Sequence, residues 1–241
     1  MFEFLATIFN NFLYYPLFNF LILIYNYLPG HDFGLAIIIL TIIIRIVLYP
    51  ISVKALNSQK AIQKIQPQLK EIQEKYKNDK ENQTKEILNL YKREKINPFG
   101  GLFLALLQIP ILIALYYVFW NGLKSEELNH LYSFISSPEQ VNAIFFGLID
   151  LSKPNLYFAL LSGVVQFFQT KMLLPQNSKN KSKDYDINSV IQKQMVYIFP
   201  FITVVILLKL PSALGLYWTV SGLFSILQQH FIFKDKNKKI K

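Results

Sequence analysis

Five long apolar runs, at residues 33–52, 99–121, 155–174, 194–210 and 211–233, restrict what this chain can fold into more than any other feature. A helix needs about 20 mostly apolar residues to cross roughly 30 Å of hydrocarbon, and each run reaches or approaches that length. A soluble core would spread its apolar residues at helical or strand periods; here they are bunched. The bunching leaves the chain 52% hydrophobic and only 17% charged. The fourth and fifth runs are parted only at Leu210-Pro211, so they read as a tight helical hairpin. The sequence predicts an all-α, polytopic membrane protein with five transmembrane helices.

Charge gives the orientation. The net charge is +10, and the Lys and Arg fall in blocks: eleven within 53–96, four within 175–193 and five after residue 233. The segments on the other side hold Lys124, Lys153 and Lys209. Positive charge marks cytoplasmic loops. The N-terminus is therefore expected outside and the C-terminus inside, in a multi-pass protein of the plasma membrane. The same clustering argues against sequence-specific nucleic-acid binding.

Between the spans the segments differ in kind. In residues 1–28, Asn11, Tyr15, Asn19 and Asn26 recur at about helical spacing, and Pro16 would bend a helix. The polar stripe suits an amphipathic helix lying in the outer interface; a sixth span ending at "LPGHD" is the rival. In residues 53–96, Ala55, Ile62, Ile65, Leu69, Ile72 and Tyr76 make a narrow seam on a charged helix. After the turn "KNDKENQ" comes a shorter helix with Ile87, Leu88 and Tyr91, giving a cytoplasmic helical hairpin. Pro98 of "NPFGG" suits the first turn of the second span. Residues 122–153 form an outer loop with no site pattern, 175–193 a polar cytoplasmic loop, and 234–241 a basic cytoplasmic tail.

Within the first span, "AIIILTIIIRIVLYP", Arg45 lies just past the midpoint with Thr41 one turn away. A central arginine costs about 2.5–3.5 kcal/mol on the insertion scale. It can be accommodated by snorkelling to the inner headgroups or by a wet cavity within the bundle. No Asp or Glu occurs in the five runs to pair with it. Gln108, Gln166, Gln169, Thr170 and Ser221 supply neutral polar groups from other spans, which favours a hydrophilic pocket. No enzyme emerges: the chain has no cysteine, His31, His130 and His230 are scattered, and no nucleophile sits beside a base. No cofactor or metal is expected.

The blocks "PLFNFLILIYNYLPGHDFGLAIIILTIIIRIVLYPI", "QPQLKEIQEKYKND", "NPFGG…LLQIPILIALY", "DLSKPN" and "LPSALGLYWTVSGLFSILQQ" resemble, in order and spacing, the YidC family of membrane protein insertases. The similarity covers roughly residues 15–233. It implies a five-helix core with a positively charged groove open to cytoplasm and lipid and closed outside. Arg45 would be the groove cation with Thr41 beside it, and Gln166 would also face the groove. Tyr217 and Trp218 match an aromatic pair in the region that contacts the incoming segment. Residues 53–96 match the hairpin that receives substrate and 15–28 the outer interfacial helix. Implied partners are nascent membrane proteins and the bilayer; ribosome and Sec translocon contacts stay open. The large outer domain and lipoprotein signal of some relatives are missing, and the eight-residue tail is shorter than ribosome-binding tails. The rival function is an anion channel or transporter with Arg45 as selectivity charge.

Overall fold

The computed structural model describes residues 2–121, 125–174 and 187–234. Lys124, the polar loop through residue 186 and the tail after Lys234 lie outside the described residues. Helix α1 (Phe2–Phe9) passes through one π-helical turn (Asn10–Tyr14) into α2 (Tyr15–Tyr27). Pro16 opens α2. Its ring crowds the preceding turn and it lacks an N–H, and the wider π turn ahead of it absorbs the misfit without a break.

Helix α3 (Phe33–Val47) is capped by Asp32, whose carboxylate accepts from Leu35 N at 2.9 Å. After Leu48 the chain turns by 64° into α4 (Tyr49–Lys75). The last residues of the first apolar run therefore belong to a new helix. Pro50, at the start of α4, removes a backbone donor there and sets the bend.

Helix α5 (Lys80–Arg93) folds back on α4. Ile65, Leu69 and Leu90 form their shared core, with Ile62, Ile72, Ile87 and Tyr91 packed around it. Ala55 is buried elsewhere, its backbone beside Gly100, and Leu88 is exposed. Asp79 caps α5 by accepting from Asn82 N at 3.1 Å. Two hydrogen bonds of Asp79 to Asn82 pull its carboxyl below the usual range. Helix α6 (Gly100–Asn121) starts after Pro98 rather than on it. Asn97 makes the turn, its side chain accepting from Phe99 N at 2.9 Å.

A 3₁₀ turn (Ser125–His130) and a small antiparallel hairpin, β1 (Ile144–Phe145) and β2 (Ile149–Asp150), lie in the loop before α7 (Leu156–Met172). Helices α8 (Ile187–Leu207) and α9 (Ser212–Lys234) complete the chain.

Helix α9 is the hub, packed against α3, α4, α6, α7 and α8. It meets α7 through small residues. Gly222 faces Val165, whose Cγ1 would be 2.5 Å from an added Cβ. Ser162 Oγ lies 2.8 Å from Phe158 O, 2.9 Å from Gly215 O and 3.0 Å from Thr219 Oγ1. Between helices in hydrocarbon there is no hydrophobic gain in trading lipid for protein, so close backbone approach and shared hydroxyls supply the attraction. The larger side chains Phe18, Ile22, Phe33, Ile37, Leu115, Phe119 and Leu214 form the main core.

By length and mean hydropathy alone, Glu3–Tyr27 is the one continuous helix among the described residues that suffices to cross a membrane, with the bent α3–α4 pair as a second candidate. Helix α9 has a lower mean hydropathy because it carries Ser221, Ser225, Gln228 and Gln229, buried against its neighbours. Tyr14, Asn19, Tyr25 and Asn26 meet one partner. Tyr14 OH donates to Glu127 at 2.8 Å, Asn19 Oδ1 accepts from Tyr132 N at 2.6 Å, and Asn26 Nδ2 donates to Ser136 O at 2.7 Å. Asn142 N donates to Tyr25 OH at 3.0 Å. Asn19 is 1% exposed. Of the polar stripe, Asn19 and Asn26 hold the loop that follows α6, while Asn11 is exposed.

Candidate functional site

Arg45 is half-buried near the end of α3. Its Nε donates to Ser221 Oγ on α9 at 2.7 Å, and Nη2 donates to the same oxygen. One turn earlier on α9, Tyr217 is 2% exposed and its hydroxyl accepts from Gln108 Nε2 on α6. A polar chain thus runs Arg45–Ser221, then Tyr217–Gln108, tying three helices together. No carboxylate joins it: the ion pairs among the described residues are Arg93–Glu94 and Lys153–Asp150.

A guanidinium has five N–H donors and one hydroxyl oxygen satisfies only part of them. The rest have to find water or a passing acceptor, because an unsatisfied buried cation is strongly unfavourable. The arrangement can hold an anion or a carbonyl transiently. It has no group suited to moving protons or forming bonds.

The other expected site residues go elsewhere. Thr41 is buried and its hydroxyl donates to Ile37 O of its own helix at 2.6 Å. Among the described residues this hydroxyl makes no bond to Arg45 or Ser221. Gln166 makes no side-chain link to Arg45 among the described residues, and its Oε1 is buried without a partner. Trp218 points away from Tyr217. With Leu112, Tyr116, Thr203, Leu207 and Leu214 it lines an apolar hollow of about 250 Å³ between α6, α8 and α9. A wider hollow of about 910 Å³ lies between the end of α2 and residues 134–140. Arg45 lines neither of them.

Sequence reasoning counted Ser221 among several polar groups and did not single it out. Its spacing of four from Tyr217 was the available signal, since that step keeps two residues on one helical face. The Ser162–Thr219 contact was missed altogether.

Helix α4 is fastened to the C-terminal ends of α7 and α9. Lys60 Nζ donates to Ile232 O at 2.9 Å and Phe233 O at 3.1 Å, Gln63 Nε2 to Leu173 O at 2.5 Å, and Gln228 Nε2 to Ser52 Oγ at 2.6 Å. A cation on terminal carbonyls of α9 also meets the negative end of that helix dipole.

The described residues form a helical bundle in which a cation is held by neutral groups within an apolar helix. Residues 23–239 match the family described as 60Kd inner membrane protein. The chain is 34% identical over 203 residues to the membrane protein insertase YidC of Fusobacterium nucleatum subsp. nucleatum, covering 84% of this chain and 87% of that protein. It is 36% identical over 211 residues to the membrane protein insertase YidC of Haemophilus influenzae, covering 86% of this chain but 34% of that longer protein. A crystal structure of an active YidC insertase with its first transmembrane domain resolved superposes with a TM-score of 0.52 at 27% identity, over 84% of this chain and 41% of the other. The chain belongs to the YidC family.

Proposed function

We propose that this protein inserts nascent membrane proteins into the bilayer, as the names of its relatives describe for them. In this reading α3, α6, α7, α8 and α9 cross the membrane, α1–α2 lies in the outer interface, and α4–α5 is the cytoplasmic hairpin. The charge blocks support that orientation. The contacts of α1–α2 support its placement. Tyr14, Asn19, Tyr25 and Asn26 all meet the single loop 127–142, which favours a course along that loop over one through the bilayer.

The observation that carries the proposal is Arg45 within an apolar helix, hydrogen-bonded to Ser221 and without a carboxylate partner. A client with a short acidic outer tail must move carboxylates across hydrocarbon. A hydrated groove beside Arg45, open to the cytoplasm, would shorten that path. Two opposite charges ~4 Å apart attract by about 4 kcal/mol at a near-surface dielectric, before desolvation is deducted. The smaller net attraction suits a site that must release its client. The client's apolar segment then leaves sideways, and its burial in lipid drives the step. No covalent bond changes and no cofactor takes part.

Insertion into proteoliposomes of clients with acidic and with neutral tails tests this reading. Arg45→Glu is expected to reduce the acidic class far more than the neutral one. Equal insertion of both would remove the charge step.

A further inference from the structure

The tip of the β1–β2 hairpin combines two features that conflict in an aqueous loop. Phe146 has φ 48° and Gly147 φ 70°, and Leu148 N donates to Phe145 O at 3.0 Å. This is a turn with two successive left-handed residues, where Asn, Asp or Gly is favoured at the first position. A bulky phenylalanine there is strained. The strain is held by Asp32: one carboxylate oxygen caps α3, and the other accepts from Phe146 N at 2.6 Å. Yet the side chains at this tip are mostly in the open, Phe146 at 63% and Leu148 at 86% exposure. A surface turn under no other demand has no use for either residue.

The surroundings fix the level at which the tip lies. Phe145 packs against Gly34 in the first turn of α3 and against Phe158 in the first turn of α7, with ring centroids 6.2 Å apart in the latter contact. Just after the hairpin, Leu151 O and Lys153 O accept from Ala213 N and Ser212 N at the start of α9. The tip therefore sits level with the N-terminal ends of three helices. Beside it Tyr157, 78% exposed, heads an exposed apolar stripe of α7 that continues through Leu160, Val164 and Phe168. Tyrosine at the end of an apolar helix face marks a membrane–water boundary. Of the charged groups nearby, Asp150 and Lys153 pair with each other at 2.9 Å, and both carboxylate oxygens of Asp32 accept backbone N–H groups.

We infer that Phe146 and Leu148 form a lipid-seated tip, inserted at the headgroup–acyl boundary of the outer leaflet beside α7. This rests on the proposal that α7 spans the bilayer with its N-terminal end outside. The occupant of the exposed tip is lipid, because the apolar tip is continuous with a helix face of the same character and presents no charge to a protein partner. The tip anchors the loop that closes the outer side, and Asp32 couples that anchor to the start of α3, the helix that carries Arg45.

The cysteine-free chain allows single labelling. An environment-sensitive fluorophore is placed at Leu148→Cys in the full chain, reconstituted into phosphatidylethanolamine–phosphatidylglycerol vesicles. The lipids carry a nitroxide at a shallow acyl position, and iodide serves as the aqueous quencher. Val164→Cys on α7 and Asn89→Cys on α5 are the lipid and water references. The expected result is blue-shifted emission at position 148, quenched by the nitroxide and poorly by iodide. Adding Phe146→Asn, which suits the left-handed backbone, is expected to weaken nitroxide quenching at 148. Iodide quenching of 148 equal to that of 89, with 164 in lipid, overturns the tip while leaving the span intact. Position 164 quenched by iodide sinks the span and the tip together. Position 148 reached by neither quencher means protein contact and also overturns the tip. An unchanged depth in the Phe146→Asn variant shows that the turn is only structural and removes Phe146 from the anchor.

Discussion

Tyr217 and Trp218 are neighbours in the chain and face opposite chemistry. Tyr217 is buried in the polar chain that leads to Arg45 and Gln108, whereas Trp218 lines an apolar hollow with α6 and α8. A helix turns about 100° per residue, so adjacent aromatics can face different neighbours, and here they do. The pair read from sequence as one contact region is two: a side that can hold charge and a side that can hold hydrocarbon. Under the proposed function, a client with polar tail and apolar segment uses both at once, the tail on the Arg45 side and the segment on the Trp218 side.

The sharpest way to break this division is Arg45→Glu, which replaces the cation beside Ser221 with a repelling carboxylate. It should abolish the preference for acidic tails while leaving crosslinks from the Trp218 side to apolar segments unchanged, read by photocrosslinking to a stalled nascent chain. Loss of both would mean that the two sides are one.

Trp218→Ala comes next. Removing a fully buried tryptophan costs about 3–5 kcal/mol; Trp218 is half-buried, so a loss of about 3 kcal/mol at most is expected in thermal unfolding in detergent. Tail discrimination should survive. Ser221→Ala strips Arg45 of its one side-chain acceptor, and hydrogen bonds to charged groups contribute about 1.5–3 kcal/mol. Here the loss should be at the lower end, because water can replace the hydroxyl; the same unfolding measurement reads it. Tyr217→Phe keeps the ring and removes the acceptor of Gln108, for about 1 kcal/mol. A larger effect than that of Ser221→Ala would reverse the order of importance along the chain.

The smallest effect lies away from both faces. Bonds from Ser152 and Lys153 hold the Asp150 carboxyl below the usual range. A depressed folded pKa stabilises above the unfolded value, and the contribution is lost as pH falls through the folded one. Asp150→Asn should therefore lower stability slightly at neutral pH, with the difference fading in acid. A constant difference across that range would remove the ionised carboxylate as its cause.

Much of the architecture was legible because it rests on gross patterning. The apolar runs, the seam of Ile62, Ile65, Leu69 and Ile72, and the family blocks all follow from residue type and order. The break at Pro50 was visible as a residue but not as a bend, since proline is equally at home starting a helix or ending one. The stripe Asn19–Asn26 was visible too, and its partner was not: an amide serves a headgroup as well as the backbone of residues 130–136.

The sequence by itself determined that this is a helical membrane protein of a recognisable family with one arginine inside an apolar helix. Only the tertiary structure decided where the polar groups went: Ser221 and not Thr41 beside Arg45, Tyr217 inward and Trp218 toward a hollow. The physical reason is that lipid tails are as apolar as leucine, so a spanning helix needs no polar face toward its surroundings. Its hydrophobic pattern therefore carries little record of which side meets protein, and a hydroxyl satisfied by its own backbone looks, in sequence, like one reaching for a neighbour.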